Sequence, residues 1–206
     1  MIYITKTPLF IQQLFPDLTW KINSSSKTLY LTFDDGPHPA ITPWVLECLA
    51  KYNAKATFFC LGKNVKKFPR VYQQIITNGH QVGNHTQHHL RGWTTTCKKY
   101  IADVEQCSKM VNSSLFRPPY GRITPKQIKR LKANYKIIMW DILSWDFNQK
   151  IKKEICAKNV IENSQEGSII VFHDNLNAEM NLKYALPKVL EHFSNLGYQF
   201  KAIPID

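Results

Sequence analysis

The chain has no apolar run approaching the roughly 20 consecutive residues that a membrane-spanning helix needs. Its five cysteines include no C-x-x-C pair, which argues against a zinc finger or a disulfide framework and favours reduced, buried thiols. Basic residues form no block of about five or six, and we find no helix-turn-helix, finger or aromatic RNA-binding motif. We therefore expect no transmembrane segment and no nucleic-acid partner.

An export signal is also missing from the first residues. The apolar patch at residues 8–11 is broken by Gln12 and Gln13, and neither a basic start nor a small-residue cleavage site accompanies it. We expect a cytoplasmic protein by default, with association with the cell envelope as the alternative. The formal charge of +12 is scattered along the chain, and it predicts a lysine-rich surface that could contact an anionic cell-envelope polymer.

Strand-like apolar runs alternate with amphipathic helical patterns, without a low-complexity linker or a repeat. This alternation predicts parallel strands joined by crossover helices. A full eight-unit barrel typically needs about 250 residues, so this shorter chain predicts a single α/β domain with a reduced or distorted (β/α) barrel. We place that domain at residues 27–206, behind an irregular lead-in at residues 1–26. Strands are expected at 27–33, 55–61, 115–117, 135–140, 168–173 and 198–203, with a weaker strand or loop at 80–85. Helices are expected to begin at 42 and at 124, and to cover 64–78, 94–112, 150–163 and 181–195.

Polar residues follow the ends of five predicted strands. Ligands of α/β barrels and open sheets lie outside the carboxyl ends of the strands. Five strands leading to one mouth favour the barrel over the open sheet. The residues concerned are Asp34, Asp35, His85, His89, Arg117, Asp146 and His173.

Asp34 and Asp35 stand between a predicted strand and the breaker Gly36-Pro37. Side chains alternate between two faces at a strand end, so neighbouring carboxylates point differently. One could then bind a metal while the other accepts a proton. The alternative is a plain turn, which Asp, Gly and Pro also favour.

His85 and His89 are four residues apart, which on a helical turn places both on one face. With Asp35 they would complete a two-histidine, one-carboxylate set that leaves positions open for water and substrate. His88 is out of phase with the pair. Polar histidines in a surface loop are the simpler alternative.

Arg117 precedes two prolines and Tyr120. Pro118 and Pro119 fix the backbone and lack N–H groups, so the next free amide, at Tyr120, could point at a substrate oxygen. Arg117 could hold a carboxylate through two parallel hydrogen bonds. A rigid surface loop is the alternative.

His173 ends the most continuously apolar of the predicted strands. A histidine at a strand end is more often a core residue than a catalyst. A carboxylate such as Asp146 beside it would stabilise the imidazolium, and His173 could then serve as a general acid.

Five motifs stand in a fixed order: Thr-Phe-Asp-Asp-Gly at 32–36, His-Thr-x-x-His at 85–89, Arg-Pro-Pro-Tyr-Gly at 117–121, Asp-Phe at 146–147 and Val-x-His at 171–173. This set resembles the polysaccharide deacetylases, also called the NodB-homology domain or carbohydrate esterase family 4. The resemblance covers roughly residues 28–203. It implies a distorted (β/α) barrel that hydrolyses acetyl groups from N-acetylglucosamine units of peptidoglycan or of a chitin-like glycan.

The resemblance implies a metal site. Asp35, His85 and His89 would bind a divalent cation, expected to be Zn²⁺, with Co²⁺ or another divalent ion as alternatives. Asp34 would be the base for the water that the metal activates, and Arg117 would orient and tune Asp34. These roles agree with what the residue types can do.

The resemblance also assigns roles on the substrate side. The Tyr120 amide, positioned by Pro119, would share the oxyanion with the metal. His173, tuned by Asp146, would protonate the leaving amine. All catalytic positions of the family are filled in this sequence, which argues against an inactive relative.

Two positions depart from the family pattern. Phe147 stands where the family often has a tryptophan that lines the substrate groove, so the shape of the groove is in question. Val171 stands where leucine is usual, which predicts a slightly larger pocket for the acetyl methyl group.

Three other functions use the same residues. An acetyl-xylan esterase would cleave an O-acetyl ester at this site. A non-haem iron oxygenase would use the two-histidine, one-carboxylate set but has no need of Asp34, Arg117 and His173. A carbohydrate-binding domain that kept its metal would be non-catalytic, and the intact catalytic set speaks against it.

Overall fold

The structure, a computed structural model, describes residues 4–24 and 26–205. Its sheet contains β1 (Thr28–Asp34), β2 (Thr57–Cys60), β3 (Gln81–Asn84), β4 (Leu115–Phe116), β5 (Lys136–Ile137), β6 (Ile142–Leu143), β7 (Ile169–His173) and β8 (Gln199–Phe200). The strand order is β5-β4-β3-β2-β1-β7-β6, with β8 paired to the start of β1. These strand pairs are all parallel, as the βα alternation predicted.

β1 lies at the centre of the sheet. All seven of its residues are buried, as expected for a strand with parallel neighbours on both sides and helices over the sheet. Phe33 stacks between Phe58 of β2 and Phe172 of β7, with ring centroids 5.0 and 6.1 Å away. Asp34 pairs with His173 in the β1–β7 register, so two predicted site residues leave the sheet at the same level.

Helices cover the sheet. They are α1 (Leu9–Leu14), α2 (Ile41–Ala50), α3 (Gly62–Lys67), α4 (Pro69–Thr77), α5 (Cys97–Ser108), α6 (Pro125–Leu131), α7 (Lys153–Asn163) and α8 (Glu179–Asn195). Of these, α2, α7 and α8 pack their apolar sides into the main core, α5 and α6 contribute to a second apolar cluster, and α1 buries no side chain. Within the described residues none of the helices is long and apolar enough to cross a bilayer. The five cysteines are free thiols, four of them buried.

Two helix predictions in the part of the chain before β3 needed correction. The helix expected over 64–78 is two helices that meet at Phe68, because Pro69 has no N–H for an internal hydrogen bond and begins α4 instead. The start expected at Thr42 was also wrong, since α2 begins at Ile41. The Thr42 hydroxyl donates to the buried carboxyl of Asp174, which is 132 residues away in the sequence, and it does not cap the helix.

The strand expected over 135–140 covers only β5. The chain leaves the sheet after Ile137 and returns as β6, which the sequence did not predict. A two-residue strand carries too little periodic pattern to be recognised.

The lead-in is more ordered than expected. Besides α1 it forms three isolated bridges, which pair Lys6 with Ile142, Thr19 with Ile138 and Lys21 with Ser168. In the described part of the chain β5 and β6 do not pair with each other. The sheet is therefore a half-barrel in a single domain, the distorted (β/α) form predicted, and the lead-in spans its open side.

Candidate active site

The carboxyl ends of the strands surround one cavity of about 590 Å³. Eight residues named from the sequence line it, and Arg117 and Asp146 lie directly behind the lining through hydrogen bonds to Asp34 and His173. The lining residues are Asp34, Asp35, His85, His89, Tyr120, Phe147, Val171 and His173, together with Arg122, Trp140, Leu143, Trp145, Asn175 and Asn177.

Asp34 and Asp35 diverge as expected for residues at a strand end. Asp34 is the last residue of β1 and accepts a hydrogen bond from Arg117. Asp35 has a φ of 77°, a left-handed conformation that turns the chain away from the strand direction. Its carboxylate faces His85 and His89.

The two histidines converge on Asp35 without a helix. Asp35 Oδ1 lies 3.5 Å from His85 Nε2 and 3.0 Å from His89 Nε2. The helical turn expected for the pair was wrong, because the residues form a loop after β3 in which Thr86 and His89 have φ values of 68° and 62°. The Thr86 hydroxyl accepts from the His89 N–H at 2.9 Å and fixes that loop.

These three residues fit a metal ion. Their ligand atoms lie within 4.8 Å of one another. Asp35 Oδ1 is buried and has no hydrogen-bond partner in the described residues, and a cation would satisfy it. His85 Nδ1 lies 2.8 Å from the Arg117 carbonyl, which can only accept, so Nε2 is left with a free lone pair facing Asp35.

The Asp35 side chain is anionic. Burial alone would raise its pKa, but the neighbouring His85 and His89 hold the pKa well below its usual range. Its second oxygen accepts a hydrogen bond from Asn175 at 2.7 Å. Asn175 lies two residues beyond His173, and sequence reasoning missed it because no motif marks it.

Arg117 is fully buried beneath Asp34. One guanidinium nitrogen donates to Asp34 at 2.8 Å and to Thr32 at 2.6 Å, and the other donates to the Met139 carbonyl at 2.8 Å. The guanidinium also lies 4.2 Å from the Phe59 ring centroid. The expected two-point contact with the carboxylate is thus a single hydrogen bond, because the remaining donors satisfy neighbouring oxygens.

His173, which is partly buried, and the fully buried Asp146 form a second pair. His173 Nδ1 lies 2.8 Å from Asp146 Oδ1, and the His173 backbone N–H donates to Oδ2 at 2.8 Å. Ser144 donates to the same carboxylate at 2.9 Å. Burial alone would lower the pKa of His173, but Asp146, with smaller effects from Asp35 and Asp34, raises it to about 9. His173 therefore carries a proton at neutral pH.

Tyr120 occupies the turn that Pro119 begins. Its φ of 60° is left-handed, and its amide N–H has no hydrogen-bond acceptor in the described residues. Its ring lies 4.5 Å from that of His89. Phe147 and Val171 also line the cavity, and the Phe147 ring centroid lies 4.9 Å from that of His173.

Thr32 was also missed from the sequence, although a signal existed. It lies two residues before Asp34 on the same buried strand, so the two side chains share a face. That alternation alone places a hydroxyl beside the Asp34 carboxylate. The observed hydrogen bond from Arg117 to Thr32 follows from it.

Taken together, the fold and the site define a hydrolytic enzyme of the β/α-barrel type. Two neighbouring carboxylates, a protonated histidine and a candidate cation position lie around one cavity at the carboxyl ends of parallel strands.

The chain is similar to several known proteins. A family profile described as polysaccharide deacetylase matches residues 21–136. A peptidoglycan-N-acetylglucosamine deacetylase of Bacillus cereus is 33% identical over 196 residues, covering 90% of this chain and 91% of that protein. A chitooligosaccharide deacetylase of Azorhizobium caulinodans is 32% identical over 162 residues, covering 75% of this chain and 77% of that protein.

The fold comparison agrees. A solved structure of a peptidoglycan N-acetylglucosamine deacetylase superposes with a TM-score of 0.85 at 30% identity, covering 96% of this chain and 95% of the other. The chain belongs to the polysaccharide deacetylase family, carbohydrate esterase family 4. It is thereby a hydrolase that acts on carbon–nitrogen bonds other than peptide bonds.

Proposed function

We propose that this protein removes the acetyl group from N-acetylglucosamine units of a glycan, with peptidoglycan as the first substrate and chitin oligosaccharides as the second. One observation carries the proposal. Buried Asp35 Oδ1 faces two histidine nitrogens without a hydrogen-bond partner, and the Asp34–Arg117 and His173–Asp146 pairs share its cavity. The substrates named for the relatives support this choice.

Asp35, His85 and His89 would hold a divalent cation in this site. Oxygen and nitrogen ligands of this kind suit Zn²⁺, and a three-ligand set leaves a coordination position open. The bound cation would supply Lewis-acid polarisation of the acetyl carbonyl and a lowered pKa for water.

Asp34 would take a proton from the attacking water. Its hydrogen bond from the fully buried Arg117 keeps its carboxylate in one orientation, since Arg117 is itself held by Thr32 and the Met139 carbonyl. A base that is fixed before the substrate arrives needs no reorganisation during the reaction.

The Tyr120 N–H would donate to the acetyl oxygen as negative charge develops there. This amide has no acceptor within the described residues and so is free to do so. His173 would then protonate the leaving amine, because its pKa of about 9 keeps it protonated at neutral pH. Val171 and Phe147 would contact the acetyl group and the sugar from the cavity wall.

The proposal is tested by acetate release from N-acetylglucosamine oligomers and from peptidoglycan, with zinc or cobalt supplied. Wild type should release acetate from both, and Asp34→Asn should reduce kcat by about 100-fold or more, as expected for loss of a general base. His85→Ala, which removes one of the three candidate metal ligands, should abolish acetate release. His192→Ala, which removes a histidine on α8 outside the cavity lining, is its matched control and should keep wild-type activity. Release only from O-acetyl xylan would overturn the proposal in favour of an esterase.

A further inference from the structure

A second feature lies at the rim of the cavity. Trp93 stands on a short 3-10 turn, Gly92–Thr94, with 63% of its surface exposed. An exposed indole ring offers a flat apolar face that can pack against a ligand.

The Trp93 turn is fixed rather than loose. The Trp93 indole N–H donates to the Ile123 carbonyl at 3.2 Å, and the Gln127 amide donates to the Gly92 carbonyl at 3.0 Å. Gly92 packs so closely that a Cβ there would lie 2.2 Å from the Arg122 carbonyl oxygen. The indole is therefore held in place before any ligand arrives, which reduces the entropy lost on binding.

Two guanidinium groups accompany the aromatic rings. Arg122 lies 5.1 Å from the Trp93 ring centroid and also lines the cavity. Arg91 lies 4.6 Å from the ring centroid of Tyr120, which is itself 4.5 Å from the ring of His89. Neither arginine forms an ion pair within the described part of the chain. A guanidinium that stacks on an aromatic ring keeps the N–H groups at its edge available. Two of these N–H groups can donate in parallel to the two oxygens of a carboxylate.

We propose that Trp93, Arg91 and Arg122 form a subsite for the sugar next to the one that is deacetylated, and that the arginines bind a carboxylate attached to that sugar. This inference rests on the proposed function. The indole face would pack against the apolar face of the pyranose ring, and the arginines would select a carboxylated glycan over neutral chitin.

Two sources can place a carboxylate there. In a glycan that alternates N-acetylglucosamine with N-acetylmuramic acid, it is the lactyl group of the muramic unit or the peptide stem attached to that group. The arginines would recognise the same chemical group in both cases, so the substrates must separate them.

The test measures kcat/KM on four substrates. They are a peptide-free oligosaccharide of alternating N-acetylglucosamine and N-acetylmuramic acid, the same compound with its lactyl carboxylates converted to methyl amides, the same glycan carrying stem peptides, and a chitin oligomer of equal length. The specificity ratio is kcat/KM on a carboxylated substrate divided by kcat/KM on its neutral counterpart. A higher kcat/KM on the peptide-free glycan than on its methyl amide identifies the lactyl carboxylate as the group that is bound. A higher kcat/KM than on chitin that appears only when stem peptides are attached identifies the peptide stem.

Arg122→Gln should lower the specificity ratio about tenfold, as expected for one charge-assisted hydrogen bond. Arg91→Gln should lower it in the same direction. Trp93→Ala should raise KM about fivefold for all four substrates, because ring packing is common to them. Added salt should weaken the preference of the wild type more than that of Arg122→Gln.

Arg70→Gln, the matched control, removes the same charge from an exposed position on α4 and should leave the ratio within about twofold of wild type. An Arg122→Gln protein with a wild-type unfolding temperature and an unchanged ratio would overturn the subsite while leaving the deacetylase function intact. If wild type released no acetate from any substrate, the proposed function would fail. Calorimetry would then measure the affinity of the protein for the same four compounds. Equal affinities for the carboxylated and neutral compounds would count against the subsite.

Discussion

Asp34 and Asp35 are chemically identical neighbours that have different surroundings and different contacts. Asp34 continues the strand geometry and meets Arg117, whereas the left-handed Asp35 turns towards His85 and His89. The sequence predicted that they would point differently. It could not predict the left-handed backbone at Asp35, because that conformation is unusual for a residue with a side chain and is imposed by the tertiary structure.

At the same scale, Asp146 controls the proton on His173. Burial alone would lower the pKa of His173, and Asp146 raises it to about 9. Asp146→Asn removes that charge, so the pKa should fall and His173 should lose its proton at a lower pH. The alkaline limb of the kcat/KM profile against pH should therefore move towards neutrality.

The control for this change is Asp17→Asn, which removes an exposed carboxylate that pairs with Lys132. Its pH profile should match that of the wild type. An Asp146→Asn enzyme whose alkaline limb does not move would contradict the proposed role of His173 as the acid.

At the scale of the element, one of the two helix starts expected at a Thr-Pro pair was confirmed, and the other, at Thr42, was not. Thr124 and Gln127 form a complete capping box, and α6 begins at Pro125 as expected. By contrast, α5 was predicted over 94–112 but covers Cys97–Ser108, because its apolar pattern continues beyond the helix into packed loop residues. The loop after β3 was also mispredicted. His85 and His89 have the four-residue spacing typical of a helix, but left-handed Thr86 and His89 bring the two side chains together within a loop.

The loop that follows β1 depends on close packing against Asp174. A Cβ at Gly36 would lie 2.1 Å from a carboxylate oxygen of Asp174, which is fully buried. Gly36→Ala should therefore lower the free energy of unfolding by about 1–3 kcal/mol and reduce kcat, because the Asp34-Asp35 turn must shift. Urea denaturation and acetate release measure the two effects.

Gly197 provides the comparison for that variant. It has a φ of 76° and open space around it, so Gly197→Ala should destabilise the protein by about 1 kcal/mol through backbone strain alone. Its kcat should stay at the wild-type value. Equal losses of activity in both variants would show that the Gly36–Asp174 contact does not position the site.

At the scale of the whole molecule, the lead-in is part of the sheet architecture. The Thr19 N–H donates to the Ile137 carbonyl at 2.9 Å, and the Met139 N–H donates to the Thr19 carbonyl at 2.7 Å. Farther along the open side, the Leu143 N–H donates to the Thr5 carbonyl at 2.8 Å. The sequence analysis placed a boundary near residue 26 because the segment has little periodicity, and pairing between distant parts of a chain leaves no such local pattern.

A truncated protein that starts at Lys27 should consequently be unstable. Removing the lead-in leaves main-chain groups of Ile137, Met139 and Leu143 without partners and exposes sheet edges that promote aggregation. Thermal unfolding and light scattering should show a lower unfolding temperature and aggregation. A monomeric truncated protein with the stability of the full chain would contradict this view of the lead-in.

The order of elements and the convergence of the strand ends could be predicted because each rests on local pattern and on a general rule for parallel sheets. Asn175, Arg122 and Trp93 could not be predicted. They enter the site or its rim through contacts between loops that are distant in sequence, such as the hydrogen bond from Trp93 to Ile123.

The most direct test of the account measures bound zinc and acetate release on the same samples. Protein freed of metal by a chelator should release no acetate, and activity should return in proportion to bound zinc, reaching its limit at one zinc per chain. Asp35→Asn and His89→Gln should bind zinc at least about 100-fold more weakly, while His192→Gln should bind it as the wild type does. Full acetate release by metal-free protein, or tight binding of one zinc by Asp35→Asn, would contradict the central claim that Asp35, His85 and His89 form the metal site of a deacetylase.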